Sequence, residues 1–341
     1  MSRHVGKIVR AALLLIILAA LFLFARSVNW HATWRAIKGT SPGLLAAASA
    51  VNLLSLVFKG LRWWIFLRSI GVTSLALAMR ATFAGAGLNN ILIANGGEAA
   101  RVIFVARAAH VPSERVLATL ALERLFELVG YIVMLALAAT FLSLPPSLER
   151  TRPLALLALM FVIGLLVYLV RHPEKAELPL IKGEGLLKRA KVYGQNFVRT
   201  LTGISTAGRF GASLAISVIA WMLQVATYAL TARAAHFNIS LVGTIAALLA
   251  VNLGFAIRAT PGNVGVFQMM YAMTAVAFGL DKDLATGVAF LIQAQQILPV
   301  TLLGLLVAPQ LIFEKRRKTV RPDNILPGEP VPPNGQSVSA K

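Results

Sequence analysis

Apolar residues in this chain gather into long unbroken runs, without the alternation of strands or the one-sided spacing of surface helices. Residues 153–170, 210–232, 240–257, 262–280 and 284–313 contain no charged side chain. Crossing a hydrocarbon layer takes roughly 20 apolar residues in helical form. Runs of this length and uniformity exclude barrel strands, which alternate and are shorter. The pattern predicts an all-α, polytopic membrane bundle. Single spans fall at 11–25, 43–58, 116–142, 153–170, 210–232 and 284–313, the last carrying Pro299 as an expected kink. Two regions read instead as helical hairpins broken by turn residues. One is 72–94 with 97–111, parted by Asn95, Gly96 and Gly97. The other is 240–257 with 262–280, parted by RATPG.

Charge gives these elements a direction. The segment 171–209 holds eight basic and three acidic residues, and the segment from 314 begins EKRRK. Both are expected on the cytoplasmic side. Counting spans from there opens the first hairpin toward the cytoplasm and the second toward the outside, with both ends of the chain inside. Residues 11–142 and 153–313 then share the order span, span, hairpin, span in opposite orientation. This is the layout of two inverted repeats, each with a broken helical hairpin. Residues 1–313 form the membrane unit. Residues 314–341 are basic, then Pro/Gly-rich, and are expected to be a disordered cytoplasmic tail.

Composition narrows the function. The chain is 57% hydrophobic and 13% charged, against about one quarter charged in soluble domains. Its 33 basic and 13 acidic residues give a net charge of +20. The basic residues flank apolar runs, and no nucleic-acid-binding motif accompanies them, so anionic membrane lipids are the expected partners. There is no cysteine, hence no thiolate metal site. The five histidines lack metal-ligand spacing, and no phosphate-cradling loop or dinucleotide fingerprint occurs. Neither a metal nor a cofactor is expected.

Charges inside apolar stretches are costly, at least about 2.5 kcal/mol each near the bilayer centre. Glu98 and Arg101 stand three apart after Gly96 and Gly97, on one face of a helix start. They either end a hairpin as an ion pair or offer an anion site, with Arg101 as the phosphate donor. Glu123, Arg124 and Glu127 follow in the next span. Arg124 lies about 16 Å from that span's start, near mid-bilayer. These three are either a structural ion pair or part of a polar path for a substrate. In the second half, Pro261, Gly262, Asn263 and Gln268 surround the second break, and Gln293 lies in the last span. Their amides either satisfy one another or line a path.

The order of these motifs resembles the lysylphosphatidylglycerol synthase transmembrane family, also called flippase-like or UPF0104. The resemblance is carried by Gly97, Glu98 and Arg101, by Glu123 and Arg124, and by Pro261, Gly262, Gly265 and Val266, with Arg62 and Trp63 upstream. It covers roughly residues 10–313. The second half departs from the family pattern. Asn263 stands at a usual glycine, Gln268 at a usual acid and Gln293 at a frequent arginine, so a symmetric pair of charged sites is not expected. The resemblance implies an inner-membrane transporter that moves a polar lipid headgroup across the bilayer, without the soluble domain that makes aminoacyl lipids. Phospholipids, polyprenyl-linked lipids and hopanoids are the implied substrates, and a lipid-synthesis enzyme is a possible partner. A membrane-embedded transferase using Glu98 or Glu123 as a base, or an accessory scaffold, is the alternative.

Overall fold

The computed structural model describes residues 21–91, 96–141, 207–255 and 260–313, with a few isolated positions besides. Most of the expected spans 153–170 and 11–25, nearly all of the basic segment 171–209 and the tail 314–341 lie outside the described residues. Among the described residues the architecture is helical and has no strand. The helices are α1 (Trp30–Lys38), α2 (Pro42–Arg68), α3 (Leu75–Ile91), α4 (Gly96–Ala109), α5 (Ser113–Phe141), α6 (Ala207–Ala234), α7 (Leu241–Gly254), α8 (Val266–Ala277) and α9 (Lys282–Phe313). A short 3-10 turn, Pro261–Asn263, precedes α8.

Pro42–Arg68, Gly208–Ala234 and Lys282–Ala308 are each long and apolar enough to cross a membrane. Their outer faces fit that solvent: Leu298, Leu302, Leu305 and Leu306 of α9 are exposed at helical spacing. With no hydrophobic drive between helices in lipid, close packing and interhelical hydrogen bonds must hold the bundle together. Both are visible. α2 runs antiparallel to α6, tied by Ser41 N–H to the Ala234 carbonyl (2.9 Å). Further along, Ser55 Oγ donates to the Ala220 carbonyl (3.2 Å) and Arg62 to Ser217 Oγ (2.9 Å). α3 runs antiparallel to α9, where Gly87 and Gly304 meet. A Cβ on Gly87 would lie 2.8 Å from Gly304 Cα, and one on Gly304 2.7 Å from Gly87 Cα.

Each half has its own apolar core. Trp63, Phe66, Leu67, Val105, Leu122 and Phe126 form one among α2, α4 and α5. Trp221, Tyr228, Leu248, Phe267, Tyr271 and Ile292 anchor the other among α6 to α9. A cavity lined by α2 and α5 from one side and α6 and α7 from the other lies between them.

Both expected hairpins are present. α3 and α4 flank the first break, and α7 and α8 flank the second, where Gly262 (φ 62°) and Gly265 (φ 92°) take left-handed backbone open to glycine. α2 continues about ten residues past the expected end at 58, because Lys59 and Arg62 find partners inside the bundle. α1 is an additional helix. Asn29 caps it through Ala32 N–H (3.2 Å), and it is held against α9 by Asn29 N–H to Asp283 Oδ1 (2.9 Å). Trp30 and Trp34 are exposed one turn apart on it, as at a membrane–water boundary.

Candidate functional site

The hairpin arms α3 and α4 approach so closely that only glycine fits at their crossing. A Cβ on Gly97 would overlap the Gly85 carbonyl and come 2.5 Å from the Asn89 backbone nitrogen. This contact sets where α4 begins. Its first free N–H groups, at Gly97 and Glu98, are taken by Asn89 Oδ1 (2.9 and 3.3 Å). The opened helix start expected to attract an outside anion is therefore capped from within the hairpin at Gly97 and Glu98.

The charged side chains converge from three helices. α4 supplies Glu98 and Arg101, α5 supplies Glu123, Arg124 and Glu127, and α2 supplies Lys59 and Arg62. The pairs cross between elements. Arg101 pairs with Glu123, and Arg124 with Glu98. Arg62 sits 3.8 Å from Glu123 and 3.4 Å from Glu127. Arg124 also reaches Glu127 (2.6 Å), and Lys59 lies 4.0 Å from it. Glu98 and Arg101 thus share a face but pair with α5 and not with each other. Four cations face three carboxylates, which leaves one positive charge in excess.

Burial divides the cluster. Arg62 is 1% exposed, Glu123 6% and Arg101 8%. These three form the inner layer, and such charges persist in a low-dielectric interior only when paired and hydrogen-bonded. The Arg101 guanidinium also lies 3.9 Å from the centre of the Trp63 ring, whose Nε1–H donates to Thr119 Oγ1 (2.9 Å). Arg124 is outermost, its side chain 54% exposed. The Nε groups of Arg62 and Arg101 are buried with no hydrogen-bond partner among the described residues.

Four members of the cluster form one wall of a cavity of about 430 Å³ between the two halves, with Glu98, Arg101 and Glu123 behind them. Lys59, Arg62, Arg124 and Glu127 face Trp221 and Gln224 of α6 across it, and Leu128 and Leu253 supply apolar wall. A second cavity of about 220 Å³ adjoins it and shares Lys59, Gln224, Asn252 and Phe255.

The second-half residues go elsewhere. Gln268 Nε2 donates to Gln293 Oε1 (2.6 Å), and Gln293 Nε2 donates to the Gly262 carbonyl (2.8 Å). Gly265 N–H donates to Gln268 Oε1 (2.6 Å), and Asn263 reaches the Gly254 carbonyl (3.3 Å). This amide network fastens the second break to α9, and neither Gln268 nor Gln293 walls either cavity. Pro261 opens the turn. Of the sequence-derived candidates, Glu98, Arg101, Glu123, Arg124 and Glu127 are brought together. Gly262, Asn263, Gln268 and Gln293 form a separate group. Lys59 and Arg62 complete the charged cluster. The Arg-Trp pair of Arg62 and Trp63 was the one cue to Arg62, and Gln224 and Asn252 gave none.

Among the described residues no cluster of His, Asp and Glu could hold a metal ion. A family model for the lysylphosphatidylglycerol synthase TM region matches residues 9–304. A UPF0104 membrane protein of Pyrococcus horikoshii is 25% identical over 282 residues, covering 74% of this chain and 82% of the relative.

Proposed function

Because the chain belongs to the lysylphosphatidylglycerol synthase transmembrane-region family, a family of multi-pass helical membrane proteins, we propose that it moves a phosphate-bearing lipid across the bilayer. The observation that carries this reading is the charged cluster beside the 430 Å³ cavity, with one positive charge unmatched. A single lipid phosphate supplies the missing charge. Arg124, half-exposed, and Lys59 hold it at the cavity edge, while the buried Arg62, Arg101 and Glu123 fix the wall behind them. Arg124 binds Glu98 and Glu127 when no phosphate is present, so ion pairs exchange as the lipid enters and leaves. The acyl chains stay against the apolar surface around Leu128 and Leu253.

The inverted-repeat arrangement belongs to the same proposal. α2 with α6 is a contact that a two-fold exchange of halves maps onto itself. The exchange maps α4 with α5 onto α8 with α9, and α3 with α9 onto α7 with α5, and each of these pairs packs together. Residues 1–313 act as the transport unit in the cytoplasmic membrane, with both ends of the chain inside. The lipid class is a phospholipid or a polyprenyl phosphate-linked lipid, supplied by a lipid-synthesis enzyme, and a hopanoid, which has no phosphate, does not fit this reading.

The test is reconstitution into liposomes carrying labelled lipids, with transbilayer movement and chemical conversion followed together. Movement of unchanged lipid is the expected result. A converted lipid without movement overturns the proposal in favour of a transferase.

A further inference from the structure

We infer that the lipid phosphate carries an uncharged, hydroxyl-bearing headgroup, and that this headgroup occupies the 220 Å³ cavity beside the charged cluster. The inference rests on reading the cluster as a phosphate site. It starts from a division of chemistry between two adjoining spaces. The larger cavity has charged walls. The smaller is walled by Asn52, Ser55, Gln224, Asn252 and Gln296, with Lys59 standing where the two meet. A phosphate beside Lys59 therefore places whatever it carries among neutral amides and a hydroxyl.

The hydrogen-bonding state of those amides selects the ligand. Asn52 uses its amide nitrogen on the Gln295 carbonyl (3.0 Å), and Asn252 uses its own on the Leu248 carbonyl (2.8 Å). Their side-chain oxygens accept from no described residue and remain free for hydroxyl donors. Gln224 makes no side-chain hydrogen bond to a described residue and offers both a donor and an acceptor, which is what a hydroxyl also offers. A group with fewer polar atoms would leave these amides unpaired out of water, which is unfavourable.

The sign of charge excludes the other common headgroups. Lys59 is the sole charged residue on the walls of the smaller cavity, and no carboxylate faces it there. An aminoacylated or amine headgroup would bring a second positive charge beside Lys59 within the smaller cavity, and like charges at such range repel strongly outside bulk water. A glycerol or a single sugar matches in charge and in hydrogen bonding.

The experiment measures lipid binding to the purified full chain in detergent, independently of transport. Phosphatidic acid, phosphatidylglycerol, lysylphosphatidylglycerol and a hexosyl phosphate lipid of equal acyl length are compared. The expected result is binding of phosphatidylglycerol or the hexosyl lipid about tenfold tighter than the lysylated lipid, by loss of like-charge repulsion. Whichever of the two binds tighter identifies the source of the hydroxyls. Asn52→Leu, in the wall of the smaller cavity alone, is expected to lower affinity for that lipid about fivefold, the worth of one hydrogen bond, while leaving phosphatidic acid unchanged. Equal or tighter binding of the lysylated lipid overturns the inference, as does an Asn52→Leu effect of the same size on phosphatidic acid. Should that variant fail to fold, O-methylated phosphatidylglycerol on the unaltered protein carries the test: weaker binding supports the inference and unchanged binding overturns it. Failure of phosphatidic acid to bind at all sinks the phosphate reading itself. Phosphatidic acid binding with no gain from hydroxyls sinks the headgroup alone.

Discussion

Seven charged side chains share one cluster, yet they are not equivalent, and burial separates their roles. Glu123 is 6% exposed and is the partner of both Arg101 and Arg62, themselves nearly buried. Replacing it with Gln strands the Arg101 cation in a low-dielectric wall, while Arg62 keeps Glu127 at 3.4 Å. The expected loss is about 3–5 kcal/mol, seen as a lowered unfolding midpoint in detergent. Glu98 pairs with the half-exposed Arg124, so Glu98→Gln should cost less than about 1 kcal/mol in the same measurement. Its effect belongs to function. It raises the positive excess by one, so anionic lipid should bind tighter and leave more slowly. Binding and transbilayer movement measured on one preparation check this, and parent-like values for both would remove Glu98 from the site. The sequence displayed every acid and base of the cluster but not their pairing. Arg101 with Glu123, Arg124 with Glu98 and Arg62 with Glu127 are 22, 26 and 65 residues apart, so no local spacing connects them.

Helices carry the next level of constraint, and glycine marks where they cannot give way. Gly97 lies against Gly85 and the Asn89 backbone, both rigid neighbours. Gly97→Ala should force the arms α3 and α4 apart, break the Asn89 cap and cost about 1–3 kcal/mol of thermal stability. Gly130 of α5 presents another case. A Cβ there would lie 2.6 Å from the Trp221 ring, which walls the larger cavity. Gly130→Ala should swing that indole and change lipid movement more than stability, since a side chain yields where a backbone cannot. Intrinsic tryptophan fluorescence and translocation report the two effects. These hairpins were legible because Gly and Pro interrupt long apolar runs. The length of α2 was not, because Lys59 and Arg62 look like a span's end until Glu127 is placed beside them. α1 was missed because nine residues rich in Trp, His, Arg and Lys show no apolar run. Its only cues were Asn29 as a cap and Trp30 and Trp34 one turn apart.

For the molecule as a whole, orientation is the proposal most directly open to measurement. The chain has no cysteine, so single thiols report their own location. Thr73→Cys, in the exposed turn between α2 and α3, should react only from the cytoplasm, and Asn238→Cys, exposed between α6 and α7, only from outside. Reaction of both from one side would end the inverted-repeat scheme. The two halves also meet at the glycine crossing of α3 with α9, where Gly87 and Gly304 touch through backbone alone. That crossing has a consequence for inheritance. Where side chains interlock, a larger residue on one helix can be rescued by a smaller one opposite. Here both partners are already the smallest residue there is. A lesion at either position therefore has no direct suppressor at the other. A genetic screen for revertants should recover true reversion, or changes elsewhere that shift a whole helix.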